Sequence, residues 1–278
     1  MTTHSLVEQD CRDLSFIDDA SVHLVITHPP AFSTTGEAHA PGQFSAIPEY
    51  EDYLDQLDAV WEECSRVLVP GGHLACVVSP VARRPEDLPP TFDVHARTCQ
   101  LGFEAQRTIR WLPSDRVEHD ETEFYGRSNQ PCGELLCDPQ DVLVMRKPGE
   151  RMVSLETEVS SRMAADFFAT CSSSVWLIPS AADRRHPRCF PVEVAERLIR
   201  MFSFVGDTVL DPFAGLGTTS AAAMMSGRSS FAVEIEPSYF EAMAGRISRS
   251  RWPEGEISVT RGPPARIPAL EPASAAGV

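Results

Sequence analysis

Asp211-Pro-Phe-Ala-Gly-Leu-Gly-Thr-Thr219 decides how this chain folds. It follows a short apolar strand, Thr208 to Leu210, and opens a helix, Thr218 to Met225. A strand, a glycine turn and a helix N-terminus make a place where backbone N–H groups face a ligand. Gly215 and Gly217 carry no Cβ to block close approach. The next strand, Ser229-Ser-Phe-Ala-Val233, ends in Glu234. An acidic residue about twenty positions after such glycines commonly holds two ribose hydroxyls. A glycine turn by itself occurs in many α/β proteins. With Asp-Pro-Phe before it, paired threonines after it and Glu234 downstream, it reads as a nucleoside-binding loop.

Working outward, Val22-His-Leu-Val-Ile-Thr27 reads as a buried strand. A loop rich in Gly, Pro, Ser and Thr follows, over residues 33–47. A helix is predicted from about Glu49 to Leu68, because Leu54, Leu57, Trp61, Cys64 and Leu68 recur every three or four residues. Pro70-Gly71-Gly72 stops it. Further strands are predicted at His73 to Val78, around Arg107 to Leu112, and at Asp141 to Met145. Strands alternating with helices predict an α/β domain with a doubly wound, mostly parallel sheet. Strands Val22–Thr27 and Thr208–Leu210 should end side by side, since ligands bind at strand C-termini. The domain is expected to span residues 1–252, with excursions at 113–140 and 148–175 as candidate target-recognition segments. Residues 253–278, rich in Pro, Ala, Gly and Arg, read as a disordered tail.

The 278 residues suit one α/β domain with a sizeable core, and the apolar fraction of 42% is that of a globular protein. No apolar run approaches the roughly eighteen residues needed to span a membrane. Met1 to Asp10 has neither the basic stretch nor the apolar core of a signal peptide, so the chain reads as cytoplasmic. The eight cysteines form no Cys-x-x-Cys pair and read as small buried hydrophobes in a reducing compartment. Cys132, Cys137, His186 and Cys189 could make a zinc site, but no metal is expected. The net charge of −16 sets the chain apart from proteins that hold nucleic acid by overall positive charge. Any nucleic-acid contact must use a local basic face. Lys147 is the only lysine, and the arginines cluster at Arg107, Arg110 and Arg116 and at Arg184, Arg185 and Arg188. Guanidinium forks suit phosphate and guanine.

The glycine loop belongs to a longer pattern. After Asp211 to Thr219 come Ala221-Ala222, Gly227-Arg228, and Glu234-Ile-Glu-Pro-Ser-Tyr239 through Ala244, Arg246 and Ile247. Before it stands His186-Pro-Arg-Cys-Phe-Pro191, then Glu193, Leu198-Ile199, Phe202 and Gly206-Asp207. Together they resemble the cofactor half of S-adenosylmethionine-dependent DNA amino-methyltransferases. The resemblance implies that Asp211, Phe213, Gly215, Gly217 and Thr218 hold the methionine end of the cofactor, with Phe190 on the helix that closes over it. It assigns Glu234 to the ribose.

In that family the end of the other strand carries Asp-Pro-Pro-Tyr or Ser-Pro-Pro-Tyr/Phe. Here it is Thr27-His-Pro-Pro30, with Ala31 where the aromatic residue stands and Phe32 one position later. The chemistry explains the pattern. An exocyclic amino group is a poor nucleophile because its lone pair is delocalised into the ring. A side-chain acceptor and a backbone C=O from the prolyl region take its two N–H bonds and restore tetrahedral character. The prolines stiffen the loop and remove competing donors. The aromatic residue stacks on a base flipped from the duplex. His28, Pro29, Pro30 and Phe32 are therefore the candidate target site. A neutral histidine has one acceptor nitrogen and a protonated one has none. A working His28 predicts a rate that falls below about pH 6.5, the ordinary histidine range.

The target loop precedes the cofactor loop, an order that resembles the circularly permuted group of these enzymes. In that group an acidic residue near the N-terminus lies by the cofactor adenine, and Asp10 has that place. The implied activity is site-specific methylation of double-stranded DNA. Thr27-His-Pro-Pro resembles Thr-Ser-Pro-Pro, which favours cytosine N4, with adenine N6 as the alternative. A second alternative is a cofactor-binding protein whose His28 and Ala31 mark a decayed site. A restriction endonuclease of the same system is a candidate partner, one whose presence the sequence does not itself encode.

Overall fold

In the computed structural model, residues 2–32, 42–78, 90–114, 139–181, 190–249 and 255–262 are described, and their strands join in one sheet. The strands are β1 (Thr2–Glu8), β2 (Val22–Thr27), β3 (Leu68–Val78), β4 (Glu104–Pro113), β5 (Gln140–Arg146), β6 (Val175–Ile178), β7 (Thr208–Asp211), β8 (Ser229–Glu234) and β9 (Gly255–Arg261). They lie in the order β6-β4-β5-β3-β2-β7-β8-β1-β9. β5 is antiparallel to β3 and β4, and every other pair is parallel. The helices are α1 (Tyr50–Val67), α2 (Pro90–Gln100), α3 (Leu155–Ser160), α4 (Ala165–Cys171), α5 (Val192–Phe202), α6 (Thr218–Met225) and α7 (Pro237–Ser248).

Alternation along the strands fills both faces of the sheet. Val22 and Val25 of β2 join one apolar cluster with Leu54, Leu57 and Trp61 of α1. Leu24 and Ile26 join the opposite one with Val194, Leu198 and Ile199 of α5 and Ala222 and Ala223 of α6. A third cluster packs α7 against α6, β1 and β8 through Met243, Phe240 and Ile247. The expected stripe on α1 is buried as Leu54, Leu57, Trp61 and Cys64, together with Tyr53, Val60 and Val67. Trp61, 1% exposed, contributes about 2–3 kcal/mol by its burial.

The helix ends before the Pro-Gly-Gly that was expected to stop it. Leu68 is already extended, and β3 runs through Pro70-Gly71-Gly72. Val22 pairs with Leu68 and Leu24 with His73, so residues 69–72 bulge from the ladder. Gly71 takes a φ of +78° there and donates to the Lys147 carbonyl (3.0 Å). The helix end is closed instead by Lys147, whose ammonium donates to the carbonyls of Ser65 (2.6 Å) and Leu68 (2.7 Å). A cation satisfies orphan carbonyls and the helix dipole together.

One boundary differs from the expectation. Residues 255–261, assigned to a disordered tail, form β9 alongside β1, so the sheet extends beyond residue 252. The segment 148–175, expected to be an excursion from the sheet, holds α3 and α4 and leads into β6, with Cys171 and Trp176 buried. Ser154 caps α3, its hydroxyl accepting from Thr157 N (3.1 Å). Most of the segment 113–140, residues 115–138, lies outside the described residues. No helix among the described residues is long and apolar enough to cross a membrane.

Candidate active site

From β2 the chain moves to β3 on one side, and from β7 to β8 on the other. The two strands are neighbours, with Leu24 opposite Val209 and Val25 opposite Leu210. Their C-terminal ends therefore flank the crevice where the winding direction reverses, the usual ligand position in a doubly wound sheet. Thr27-His-Pro-Pro30 leaves one lip and Asp211 to Thr219 leaves the other, side by side as expected.

Asp211 is 1% exposed. One carboxylate oxygen accepts from Phe213 N (3.1 Å) and the other from Thr219 Oγ1 (2.6 Å). Burial pushes its pKa up to about 7, against the pull of Thr219, Phe213 and the neighbouring Thr27. Thr27 Oγ1 is itself buried and makes no hydrogen bond of normal geometry among the described residues. Glu234 ends β8, accepting from Gly215 N (2.7 Å) and Glu236 N (2.8 Å). Burial raises its carboxyl as well. Gly215 and Gly217 are left-handed, at φ +52° and +74°. A Cβ on Gly217 would stand 2.8 Å from Met243 Cγ, so this glycine lets α6 and α7 pack closely. Phe213 is half-buried and meets Phe44 edge-on (5.2 Å). Thr218 is buried at the start of α6, near Arg246, which donates to the Leu216 carbonyl (3.0 Å).

Parallel pairing of β1 with β8 sets Glu8 opposite Glu234, so Asp10 emerges beside the acidic end of β8. Its carboxylate accepts from Arg12 Nε (2.9 and 3.0 Å), from Arg12 N (3.0 Å) and from the Arg12 Nη2 group. The guanidinium also donates to Gln56 (2.6 Å) and lies over Phe44 (5.4 Å). A cavity of about 400 Å³ opens next to this pair, lined in part by Gln43, Ile47 and Gln56.

On the target side, His28 stands edge-on to Phe190 (centroids 6.3 Å apart), so the segment before α5 reaches the target loop. Phe32, expected to stack on a base, packs edge-on against Tyr50 and Tyr53 (both 5.5 Å). Tyr53 was not singled out in the sequence, yet its hydroxyl donates to the Pro30 carbonyl (2.9 Å). The available signal was a tyrosine in the apolar stripe of α1, whose hydroxyl needs a partner once buried. Of the arginines expected to meet DNA, Arg110 pairs with Asp141 (2.9 Å) and Arg107 lies over Phe202 (5.8 Å). Arg116, Arg184, Arg185 and Arg188, and the candidate zinc ligands Cys132, Cys137, His186 and Cys189, lie outside the described residues.

A glycine loop, an acidic strand end and a proline-stiffened loop around one crevice define a Rossmann-like transferase that binds a nucleoside. The sequence matches the DNA methylase family of the N6/N4 type over residues 22–245, and the chain belongs to that family. Among its relatives is the type II methyltransferase M.MthZI of Methanothermobacter thermautotrophicus. It is 27% identical, the match covering 94% of this chain and 81% of that protein. M.MjaI of Methanocaldococcus jannaschii is 30% identical over 85% of this chain and 88% of its own length. A solved structure, TTHA0409 of Thermus thermophilus, a candidate DNA modification methylase, superposes with TM-score 0.74. It is 37% identical over 94% of this chain and all of its own. The same protein in complex with S-adenosyl-L-methionine gives 0.73. The cytosine-N4-specific PvuII methyltransferase shares the fold at TM-score 0.63 and 18% identity.

Proposed function

We propose that this protein transfers a methyl group from S-adenosylmethionine to an exocyclic amino nitrogen in double-stranded DNA, with cytosine N4 as the target. The observation that carries this reading is the pairing of β2 with β7, which brings His28-Pro29-Pro30 and the Asp211 loop to one crevice. The donor set fits the cofactor. Asp211 is a desolvated carboxylate pushed further toward its protonated form by Glu234. Such a pair is short of positive charge, which a ligand bearing a sulfonium and an ammonium brings. When bound, S-adenosylmethionine supplies an electrophilic methyl group on sulfur. Asp211, Phe213, Gly215, Gly217, Thr218 and Phe190 form the methionine side, Glu234 the ribose side and Asp10 the adenine side. Neutral His28 accepts one amino N–H, and a prolyl carbonyl accepts the other. Holding the nitrogen in line supplies most of the rate.

The preference for cytosine rests on Thr27 before the histidine, in the manner of Thr-Ser-Pro-Pro. The segment 148–175 is the described candidate for reading DNA sequence. A restriction endonuclease that cuts the same site when unmodified is a candidate partner under this reading. The test is expression in a methylation-free bacterial host, followed by sequencing of the host DNA for modified bases. N4-methylcytosine in a fixed motif is expected, and N6-methyladenine would reassign the base. Unmodified DNA from a folded, cofactor-binding protein would refute the reading and favour a decayed site.

A further inference from the structure

We infer that Tyr53 is a positioning residue for the target loop: its hydroxyl holds the Pro30 carbonyl and so fixes where His28 and Pro29 stand. This rests on the function proposed above and adds the device that aims the loop. Pro29 and Pro30 have no N–H, so this stretch offers acceptors and cannot tie itself down through its own donors. A donor must come from elsewhere, and Tyr53 provides it at 2.9 Å from the first turn of α1. The ring that carries this hydroxyl is 5% exposed and enclosed on several sides. Tyr50 stacks on it (6.0 Å, 14° between planes), while Phe32 and Phe44 meet it edge-on at 5.5 and 6.0 Å. Tyr50 is in turn held by Asp93 of α2 (2.8 Å). The loop is thus gripped at two points by one helix turn, through the Pro30 carbonyl and through the Phe32 ring. In this arrangement Phe32 anchors the loop and is not the ring offered to the base.

A buried tyrosine hydroxyl would also seek a partner for stability alone, so the test must separate position from folding. Tyr53→Phe in the full chain removes the hydroxyl and keeps the ring. We expect kcat to fall on the order of 10- to 100-fold, with the cofactor Kd within about twofold and KM for DNA little changed. The thermal midpoint should stay within about 3 °C. Hydrogen exchange at the Ala31 and Phe32 amides should speed up while the rest of the chain is unaltered. An unchanged kcat with unchanged loop exchange overturns the inference and leaves the methyltransferase reading intact. A variant that loses kcat, cofactor binding and thermal stability together also overturns it, since Tyr53 then serves the core. Should the wild-type protein modify no DNA, the functional reading fails. The exchange measurement then decides the inference alone: faster exchange confined to the loop supports it and no change overturns it.

Discussion

Replacing Asp211 by asparagine separates what the carboxylate costs the fold from what it does for a ligand. Asp211 is 1% exposed, and burial lifts its pKa from 3.8 to about 7 despite its hydrogen bonds. Between those values the folded chain holds a proton here that the unfolded chain has released. The contribution to stability is therefore full below about pH 4, declines as pH rises, and is gone above about pH 7. A difference of this size corresponds to about 4 kcal/mol. Asparagine has the same shape and stays neutral. Its carbonyl can accept from Phe213 N, and its amide can donate to the hydroxyls of Thr219 and Thr27, the second of which now makes no hydrogen bond of normal geometry among the described residues. Exchanging the charge-assisted bond from Thr219 for a neutral one costs about 1 kcal/mol. Asp211→Asn should thus be more stable than wild type by about 3 kcal/mol at pH 8 and about equal at pH 4. For a chain of this length that is a rise of about 6 °C in melting temperature. The assay is thermal melting of both ligand-free proteins at the two pH values, with the difference taken so that other titrating groups cancel. A variant less stable at pH 8, or a difference that ignores pH, would refute the reasoning. Binding should move the opposite way, with S-adenosylmethionine affinity falling at least about tenfold by calorimetric titration, a trade of stability for function.

Gly217→Ala must place a Cβ 2.8 Å from Met243 Cγ at φ +74°. It should destabilise by about 2–4 kcal/mol in denaturant melts; measured in a Met243→Ala background the same substitution should cost less, because only the backbone strain persists. His4 is fully buried, bonded to Ser230 (2.9 Å), and burial lowers its pKa from 6.5 to about 4. The unfolded chain binds that proton first, so stability should fall by up to about 3 kcal/mol as pH drops from 6.5 toward 4, and His4→Gln should remove that slope. His28→Ser, tested by sequencing modified host DNA, should lose methylation if the histidine is the working acceptor, whereas a gain would mark a decayed site.

The elements that set up the site were legible because each carried a strong local pattern. β2, β7 and β8 are short apolar runs bounded by turn residues, and α1 shows its stripe every three or four residues. β9 also carried a signal, since Ile257 and Val259 alternate with Ser258 and Thr260. Proline, alanine and glycine beyond it outweighed that alternation in the sequence reading, and an edge strand with Val259 42% exposed gives little contrast. The segment 148–175 was read only as an excursion, without its helices, for a related reason. Its helices are short and leave Leu155 and Phe168 exposed, so no apolar face repeats long enough to be read. The site's inner contacts were not legible. Phe190 reaches His28, and Tyr53 reaches Pro30, through tertiary packing that no local spacing encodes. Gly217 illustrates a subtler gap: the residue was picked out as part of the ligand loop, while its missing Cβ also makes room for Met243.

The ammonium that closes α1 has a chemical consequence. Lys147 is the chain's only side-chain amine, and its nitrogen is spent on the Ser65 and Leu68 carbonyls, with burial lowering its pKa. Amine-directed chemistry such as acylation, reductive alkylation or bifunctional ester cross-linking has no other side chain to attack. Acylating Lys147 would uncap a helix rather than report on a surface. Every cationic side chain this protein can offer a phosphate, histidine apart, is a guanidinium. Footprints taken with dicarbonyl reagents that modify arginine will reveal its contacts with DNA, and lysine reagents will return a blank.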